Sequence, residues 1–417
     1  MLRVPLTNAR PGMALAMPVF HPRSPNTVLL KAGVTLDDRL IGRLRDNLVG
    51  AVYIRYPKLA FLSQYISPGV AAAREHMTGL VAEAVDALEV DANLDYYRYR
   101  SGVVALIEKL SDNPRAALFM DEMGITDRTL LRHSAATSYL AVLMGLKLES
   151  YLVHERSRLA ATAARDVVPL GVGAMLHDVG MLRLAPSTLR YWDEHKDESD
   201  PEWQEHARLG YDLVKGKVEP SAAVVVLHHH QRFDGKGFPA VRRPDSPPQP
   251  LAGSDIHVYA RIAAAADAFD RAMVPSEDRR APVVAALREV VLGKQRGRFD
   301  AMVLRALVAV VPPYAPGSLI TLTDGTRGVV TAWTPIDPCS PTITPATVDD
   351  AGTIEVDIDR EIDLRRHDEL EIAEIDGHDV REHNFYPRSS AEFDLDRALK
   401  ALINAAADHD TPTAQAG

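Results

Sequence analysis

Residues 167–180 read Val-Val-Pro-Leu-Gly-Val-Gly-Ala-Met-Leu-His-Asp-Val-Gly. The run from Val168 to His177 is apolar and has the length of a helix, and the pair His177-Asp178 closes it. A single buried histidine is usually a hydrogen-bonded core residue, and an aspartate after it can be no more than a helix terminus. The stretch therefore predicts a core helix with polar groups at its end, and the meaning of those groups depends on the rest of the chain.

Further histidines and an aspartate occupy similar positions in other predicted helices. His133 opens one helix, His206 lies within another, and His228-His229-His230 ends a third. Asp267 lies inside the apolar run Ile262-Ala-Ala-Ala-Ala-Asp-Ala-Phe, where a carboxylate is costly unless it is paired or bound to metal. A shared metal cluster explains so many inward polar groups. Imidazole and carboxylate ligands without thiolate suit iron, manganese or zinc, and a carboxylate can bridge two ions.

The order of these motifs resembles the HD-GYP subgroup of the HD-domain metal-dependent phosphohydrolases. The resemblance covers roughly residues 121–312 and includes an Asp-Gly-x-Gly-aromatic-Pro sequence after paired histidines. The matching segments are His133, Leu176-His177-Asp178-Val179-Gly180, His206-Ala-Arg-Leu-Gly210, His229-His230-Gln231-Arg232-Phe233-Asp234-Gly235-Lys236-Gly237-Phe238-Pro239, and Ala260-Arg261-Ile262 through Asp267 and Asp270.

The resemblance implies a site with two divalent ions, most readily iron or manganese, with zinc as an alternative. Asp178 would bridge the ions. One ion would also be held by His133, His177 and Asp267, and the other by His206, His229 and His230. The implied reaction is hydrolysis of a phosphodiester by an activated water, and the implied substrate is the bacterial second messenger cyclic di-GMP. The loop beside the substrate would be formed by Asp234, Gly235, Gly237, Phe238 and Pro239.

The chain departs from the family pattern at four positions. Met181 stands where the family has a lysine near the substrate phosphate, and we expect Arg183, Arg279 or Arg280 to replace that cation in the catalytic site. Gln231 replaces a glutamate, and Phe238 replaces the tyrosine of the loop. Thr129 stands where members with a third metal have a glutamate, which favours two ions.

The leading functional hypothesis is a phosphodiesterase (a hydrolase of class EC 3.1.4) that cleaves cyclic di-GMP in signal transduction. A second hypothesis is a catalytically weak or inactive signalling module that binds nucleotide or protein partners, and Met181 and Gln231 favour it. A third retains the hydrolase and changes the substrate to another cyclic dinucleotide or a nucleotide monophosphate. We also consider a protein partner at the Gly-Phe-Pro loop and a homodimer.

The predicted fold is multidomain and mainly α. An all-α HD-type helical domain lies in the middle, with a small α/β unit at the N-terminus and a small antiparallel β unit at the C-terminus, where a hairpin is expected at Asp324-Gly325. The predicted boundaries are 1–65 for the N-terminal accessory domain, 66–120 for connecting helices, 121–312 for the metal phosphohydrolase domain, 313–387 for the β-rich domain and 388–417 for an acidic, partly disordered tail.

Composition narrows the class of protein. The chain has 417 residues, of which 46% are hydrophobic, and this suits a globular protein with a substantial core. The net charge of -10 argues against binding to a nucleic-acid polymer. The single Cys339 allows no internal disulfide, and no membrane span or signal peptide is expected, so we predict a cytoplasmic protein without membrane partners.

Overall fold

The computed structural model describes residues 1–21, 27–90, 93–113, 115, 130–244, 246–275, 280–349 and 353–409. It confirms the predicted fold class: a central group of helices lies between an N-terminal α/β unit and a C-terminal antiparallel sheet.

In the part of the N-terminal unit that the structure describes, two small antiparallel strand pairs accompany one α-helix and short 3-10 helices. Asp37 caps the helix because its side chain accepts a hydrogen bond from the Leu40 backbone N–H at 2.7 Å. Ile41 and Leu44 then face the core. Strands β1 and β4 pair with each other, as do β2 and β3. The elements are β1 (Leu2–Pro5), β2 (Val19–Phe20), β3 (Val28–Leu30), α1 (Asp38–Asp46), β4 (Ala51–Ile54) and a 3-10 helix (Pro57–Tyr65).

Two long helices follow, α2 (Pro68–Glu89) and α3 (Tyr96–Asp112). The sequence predicts them as connectors. Their apolar faces, with Met77, Leu80 and Val103 fully buried, belong to the same hydrophobic core as the central helices. These helices therefore form part of the wall of the central domain.

The central helices surround α4, which packs against α2, α7 and α12. The apolar periodicity of residues 202–214 predicts one helix, but the structure has two, since α9 ends at Gln204 and α10 begins at His206. Helices α5, α6 and α8 and a hairpin of β5 and β6 were not predicted. The elements are α4 (Leu130–Lys147), α5 (Glu149–Glu155), α6 (Ala161–Ala164), α7 (Val168–Met175), α8 (Pro186–His195), α9 (Pro201–Gln204), α10 (His206–Val214), α11 (Pro220–His228), β5 (Val241–Arg243), β6 (Ser246–Gln249), α12 (Val258–Met273), α13 (Val283–Leu292) and α14 (Ala301–Val310).

The C-terminal unit is a seven-stranded sheet with the order β10-β9-β8-β7-β12-β13, and β11 pairs with β9. The predicted hairpin is confirmed, because β7 and β8 flank Gly325, whose φ is +87°. Part of the segment predicted as an acidic, partly disordered tail is helix α15, and its Leu395 is buried. The elements are β7 (Leu319–Leu322), β8 (Arg327–Ala332), β9 (Thr342–Val348), β10 (Ile354–Val356), β11 (Ile362–Asp363), β12 (Ile372–Ile375), β13 (His378–Asp379) and α15 (Leu395–His409).

The two terminal units share a hydrophobic core. Leu2 and Val4 of β1 belong to the same buried cluster as Val356 of β10. The Tyr56 hydroxyl donates to the Ile354 carbonyl and accepts from the Val356 N–H, each at 3.1 Å. The domain boundaries remain a prediction from sequence, and the structure adds that the segments 1–65 and 313–387 bury apolar surface against each other.

Among the described residues, no individual helix has both the length and the hydropathy needed to cross a bilayer. One helix pair, 161–183 with 186–195, meets that requirement jointly, and it is bent by 119° at the break between its two parts.

Candidate metal centre

The polar residues predicted from sequence converge at the ends of several helices. His177 and Asp178 follow the C-terminal end of α7, and His206 is the first residue of α10. His229 and His230 follow the last residue of α11. His133 lies in the first turn of α4, and Asp267 lies within α12. Five separate helices thus contribute side chains to one buried centre.

A close backbone contact sets the distance between two of these segments. A Cβ atom at Gly180 would lie 1.9 Å from the His206 carbonyl oxygen and 2.5 Å from the Gly210 backbone nitrogen. Because real Cβ atoms do not approach backbone this closely, only glycine allows the turn after Asp178 to lie directly against α10. The contact positions His206 beside Asp178.

The first group of side chains, which we call the aspartate half, consists of His133, His177, Asp267 and the Oδ2 atom of Asp178. His133 Nε2 lies 2.9 Å from Asp267 Oδ1, and His177 Nε2 lies 3.4 Å from Asp178 Oδ2. Asp270 Oδ2 lies 2.7 Å from His133 Nδ1. A carboxylate at Nδ1 fixes the ring so that Nε2 faces the centre, as is usual for metal-binding histidines.

The second group, the histidine half, consists of His206, His229, His230 and the Oδ1 atom of Asp178. Nε2 of His206 and Nε2 of His229 each lie 3.5 Å from Asp178 Oδ1. The Nδ1 atoms of the same two rings lie 2.6 Å from the Trp203 carbonyl oxygen and 2.9 Å from the Val226 carbonyl oxygen, respectively. Since a carbonyl only accepts, Nδ1 carries the proton in the neutral ring and the Nε2 lone pair faces the centre.

Two buried polar atoms test whether metal ions fit this centre. Among the described residues, Asp178 Oδ1 and His230 Nε2 are fully buried and have no hydrogen-bond partner. Orphaned buried groups of this kind cost about 1–3 kcal/mol each unless something else satisfies them. Ligand atoms of Asp178, His206, His229 and His230 lie within 4.8 Å of one another, as do those of His133, His177 and Asp178. The nitrogen and carboxylate donors therefore fit two divalent ions that share Asp178.

The two halves differ in the direction in which their surroundings shift the pKa values of their histidines. Burial lowers the pKa of His177, but the neighbouring Asp178 and Asp267 carboxylates outweigh it and leave that pKa at about 10. In the histidine half, burial lowers the pKa of His206 to about 4 and that of His230 well below its usual value. Burial acts to raise the pKa values of both aspartates, but nearby cationic groups, Arg271 among them, hold them well below the usual range.

Arg271 is a functional candidate that the sequence analysis missed. It lies one turn after Asp267 on α12, and its Nε donates to Asp267 Oδ1 at 2.6 Å. One terminal nitrogen donates to Asp178 Oδ2 at 3.0 Å. The i,i+4 spacing from a buried aspartate was the available signal.

Of the three arginines predicted to act in catalysis, the structure describes Arg183 and Arg280. Arg183 donates to the carbonyl of Leu88 at the end of α2, and Arg280 lines a separate cavity of about 290 Å³ with Arg3 and Asp376. The side chain of Arg183 is therefore anchored on α2, and that of Arg280 lies beside the terminal units. Arg279 and Thr129 lie outside the described residues.

The predicted substrate loop lies against the histidine half. The Phe238 ring stacks on His230 with 4.5 Å between ring centroids, and Asp234 pairs with Arg232 at 2.7 Å. Gly235 has a φ of +75°, and a Cβ at Gly237 would lie 2.4 Å from the His230 carbonyl oxygen. The loop therefore folds back on the residue that precedes Gln231. Pro239 completes the loop.

Gln231 holds the loop through a donated hydrogen bond that an ionised glutamate could not make. Its buried amide donates to the Pro239 carbonyl at 2.6 Å and accepts from the Leu251 N–H at 2.8 Å. An ionised carboxylate only accepts hydrogen bonds. The substitution of Gln for Glu thus has a structural role at the base of the loop.

Two cavities open beside the centre and share the residues Lys196 and Arg271. The first, of about 600 Å³, is lined by Met181, Asp178 and Trp192 among others. The second, of about 760 Å³, is lined by His230 and Phe238 among others. The aspartate half borders the first cavity, and the histidine half borders the second.

Comparisons with known proteins bear on the same region. Residues 130–272 match the HD domain family. The chain is similar to cyclic di-GMP phosphodiesterase PA4108 of Pseudomonas aeruginosa, with 28% identity over 224 residues, which is 52% of this chain and 48% of that protein. It is also similar to the cyclic di-GMP phosphodiesterase response regulator RpfG of Xanthomonas campestris pv. campestris, with 29% identity over 205 residues, 48% of this chain and 47% of that protein.

The chain spans about half the length of these curated relatives. Among solved structures, it is similar to Bd1817, an HDG"Y"P protein from Bdellovibrio bacteriovorus, with a TM-score of 0.43 and 16% identity over 73% of this chain and 97% of that one. The family match falls on the helices that carry the buried histidines and aspartates. Residues 130–272 therefore match the HD domain family, and the match covers about a third of the chain.

Proposed function

We propose that the protein is a metal-dependent phosphodiesterase that hydrolyses a cyclic dinucleotide, cyclic di-GMP first, in bacterial second-messenger signalling. The observation that carries the proposal is the position of Asp178, whose two carboxylate oxygens face different groups of ligands in one buried centre. The names of two similar proteins, both cyclic di-GMP phosphodiesterases, support this substrate.

In this proposal Asp178 would be shared by two ions. His133, His177 and Asp267 would hold one ion, and His206, His229 and His230 would hold the other. Iron or manganese suits these ligands best, with zinc as an alternative. When bound, two such ions lower the pKa of a water molecule and stabilise charge on the attacking and leaving oxygens of a phosphodiester.

The chain's own residues supply position and environment. Asp270 holds His133, and backbone carbonyls of Trp203 and Val226 hold His206 and His229, so the imidazole rings cannot turn away from the centre. His177 is fully buried and Asp178 nearly so, which excludes bulk water from the carboxylate and strengthens its electrostatic interactions.

Metal analysis and one turnover assay test the proposal. We expect protein purified without oxygen to carry two transition-metal ions per chain by elemental analysis. Chromatography should then show conversion of cyclic di-GMP to a linear product, compared side by side with 3'3'-cGAMP and cyclic di-AMP. A folded protein that carries two ions and hydrolyses none of these compounds would contradict the proposal.

A second candidate function is binding of a cyclic dinucleotide or a protein partner without turnover. The observation that favours it is Met181, which lines the first cavity beside Asp178 and brings no charge to it. Saturable binding of cyclic di-GMP without a product would support this function. A protein partner at the Gly-Phe-Pro loop, a homodimer and a cytoplasmic location remain predictions.

A further inference from the structure

Arg271 is a largely buried cation at the centre of the candidate site. Its side chain is 16% exposed, and its guanidinium contacts Asp267 through Nε and Asp178 through a terminal nitrogen. The same group lies 5.4 Å from the Trp192 ring centroid and 5.9 Å from that of Trp203. Carboxylates and aromatic faces thus hold the guanidinium in place.

The position of Arg271 between the two cavities limits what it can bind. It lines both cavities, and the aspartates that it contacts belong to the proposed metal ligands. A phosphodiester at this point would have one substituent on each side, and each cavity offers room for one of them. A cyclic dinucleotide has this geometry, because each of its phosphates joins two nucleosides.

We propose that Arg271 binds the phosphodiester of the substrate and supplies the cation that Met181 does not. This inference rests on the proposed function. A guanidinium matches phosphate oxygens through paired N–H donors, which an ammonium group does not reproduce. Divalent ions on Asp178 and Asp267 would repel the guanidinium, so an anion that touches the ions and Arg271 together is stabilised by all of these charges.

The alternative role for Arg271 is that of a counter-ion which only neutralises two aspartates. The two roles predict different results when the positive charge is moved from position 271 to position 181. Met181 lines the same cavity, so a lysine there can reach a phosphate in that cavity. A counter-ion for Asp267 would depend on the position one turn away on α12, whereas a phosphate ligand can be supplied from either position.

The test uses the full-length, metal-loaded protein and four variants: Arg271→Ala, Arg271→Lys, Arg271→Ala with Met181→Lys, and Arg190→Ala. Arg190 is an exposed arginine on α8 and provides the matched control for loss of one positive charge. Calorimetry measures the dissociation constant of the slowly hydrolysed bis-phosphorothioate analogue of cyclic di-GMP. Elemental analysis gives metal content, and steady-state kinetics separate kcat from KM.

We expect Arg271→Ala to retain its metal and to bind the analogue at least about tenfold more weakly, with kcat reduced as well. Arg271→Lys should be intermediate, and Met181→Lys in the Arg271→Ala background should restore part of the affinity. Arg190→Ala should match the wild type. Wild-type affinity in Arg271→Ala would overturn the inference, as would the absence of any recovery in the double variant.

Two further outcomes separate this inference from the proposed function. If the wild type binds the analogue through Arg271 and hydrolyses no cyclic dinucleotide, the inference stands and the phosphodiesterase proposal fails. If the wild type hydrolyses cyclic di-GMP and Arg271→Ala does so equally well, the reverse holds. Should Arg271→Ala fail to fold, Arg271→Lys decides, because it keeps the charge and loses the paired donors; an unchanged dissociation constant then overturns the inference.

Discussion

The aspartate half and the histidine half share one carboxylate and differ in almost everything else. The aspartate half contains two carboxylates and a histidine whose pKa is about 10, and the Arg271 guanidinium contacts both carboxylates, so these charges are largely balanced within the protein. In the histidine half, burial lowers the pKa values of His206 and His230, and the Oδ1 atom of Asp178 has no hydrogen-bond partner among the described residues. An ion that enters the aspartate half must compete with protons and with Arg271 for the carboxylates. In the histidine half, the imidazole lone pairs are already available to bind an ion.

Substitution of the shared carboxylate, Asp178, should have the largest effect on both halves of the centre. Asp178→Asn should remove both ions and lower turnover by roughly 10³-fold or more, the scale on which a lost electrostatic group acts in catalysis. Elemental analysis and the turnover assay measure the two effects. Asp212→Asn, an exposed aspartate on α10, is the control. Retention of both ions and of wild-type turnover in Asp178→Asn would show that the two halves do not depend on a common bridge.

Acid should destabilise the metal-free protein through its neutral histidines. Burial lowers the pKa values of His206, His228 and His257 to about 4, below the unfolded value of about 6.5. Between these limits the unfolded chain binds more protons, so the free energy of unfolding falls as the pH drops. His177, with a pKa of about 10, stays protonated in the folded protein across this range, and its unfolded ring is largely protonated below about pH 6.5, so it contributes little to the change.

We expect a loss of roughly 3 kcal/mol or more between pH 6.5 and 4 for the three histidines together. Urea unfolding of metal-free protein across this range measures it. His257→Gln, which removes one of the three groups, should flatten the dependence. A constant free energy of unfolding would mean that these rings are not neutral in the folded protein.

Gln231→Glu tests how the substrate loop is held against the histidine half. The carboxylate loses the hydrogen bond to Pro239 and brings a buried negative charge beside the histidine half, so we expect about 1–3 kcal/mol of lost stability. Metal content should change little, because Gln231 is not a proposed ligand. Denaturant unfolding and elemental analysis check the two parts. Unchanged stability would show that the loop does not depend on this amide.

Met181→Lys in an otherwise wild-type chain should have the smallest effect. If Arg271 already binds the phosphate, a second cation in the same cavity should raise kcat/KM less than about threefold. Metal content should stay the same. A tenfold or larger increase would indicate that the aspartate half lacks an effective cation and that Arg271 does not supply it.

The sequence predicted the polar residues of the centre because each lies in a short local pattern, such as the His177-Asp178 pair at the end of an apolar run. It did not identify Arg271 as a partner, because Asp178 reaches that side chain from another element nearly a hundred residues away. The break between α9 and α10 also escaped the periodicity. The break lies at Glu205, between the last residue of α9 and the first of α10.

The shared core of the terminal units also has a consequence for synthesis of the protein. The hydrogen bonds of Tyr56 to β10 join residues about 300 positions apart. At translation rates of about 5–20 residues per second, the first unit leaves the ribosome roughly 15–60 s before its partner strand. During that interval, β10 does not yet cover the apolar face that Leu2 and Val4 help to form. We therefore expect this face to be accessible to chaperones until β10 has been synthesised.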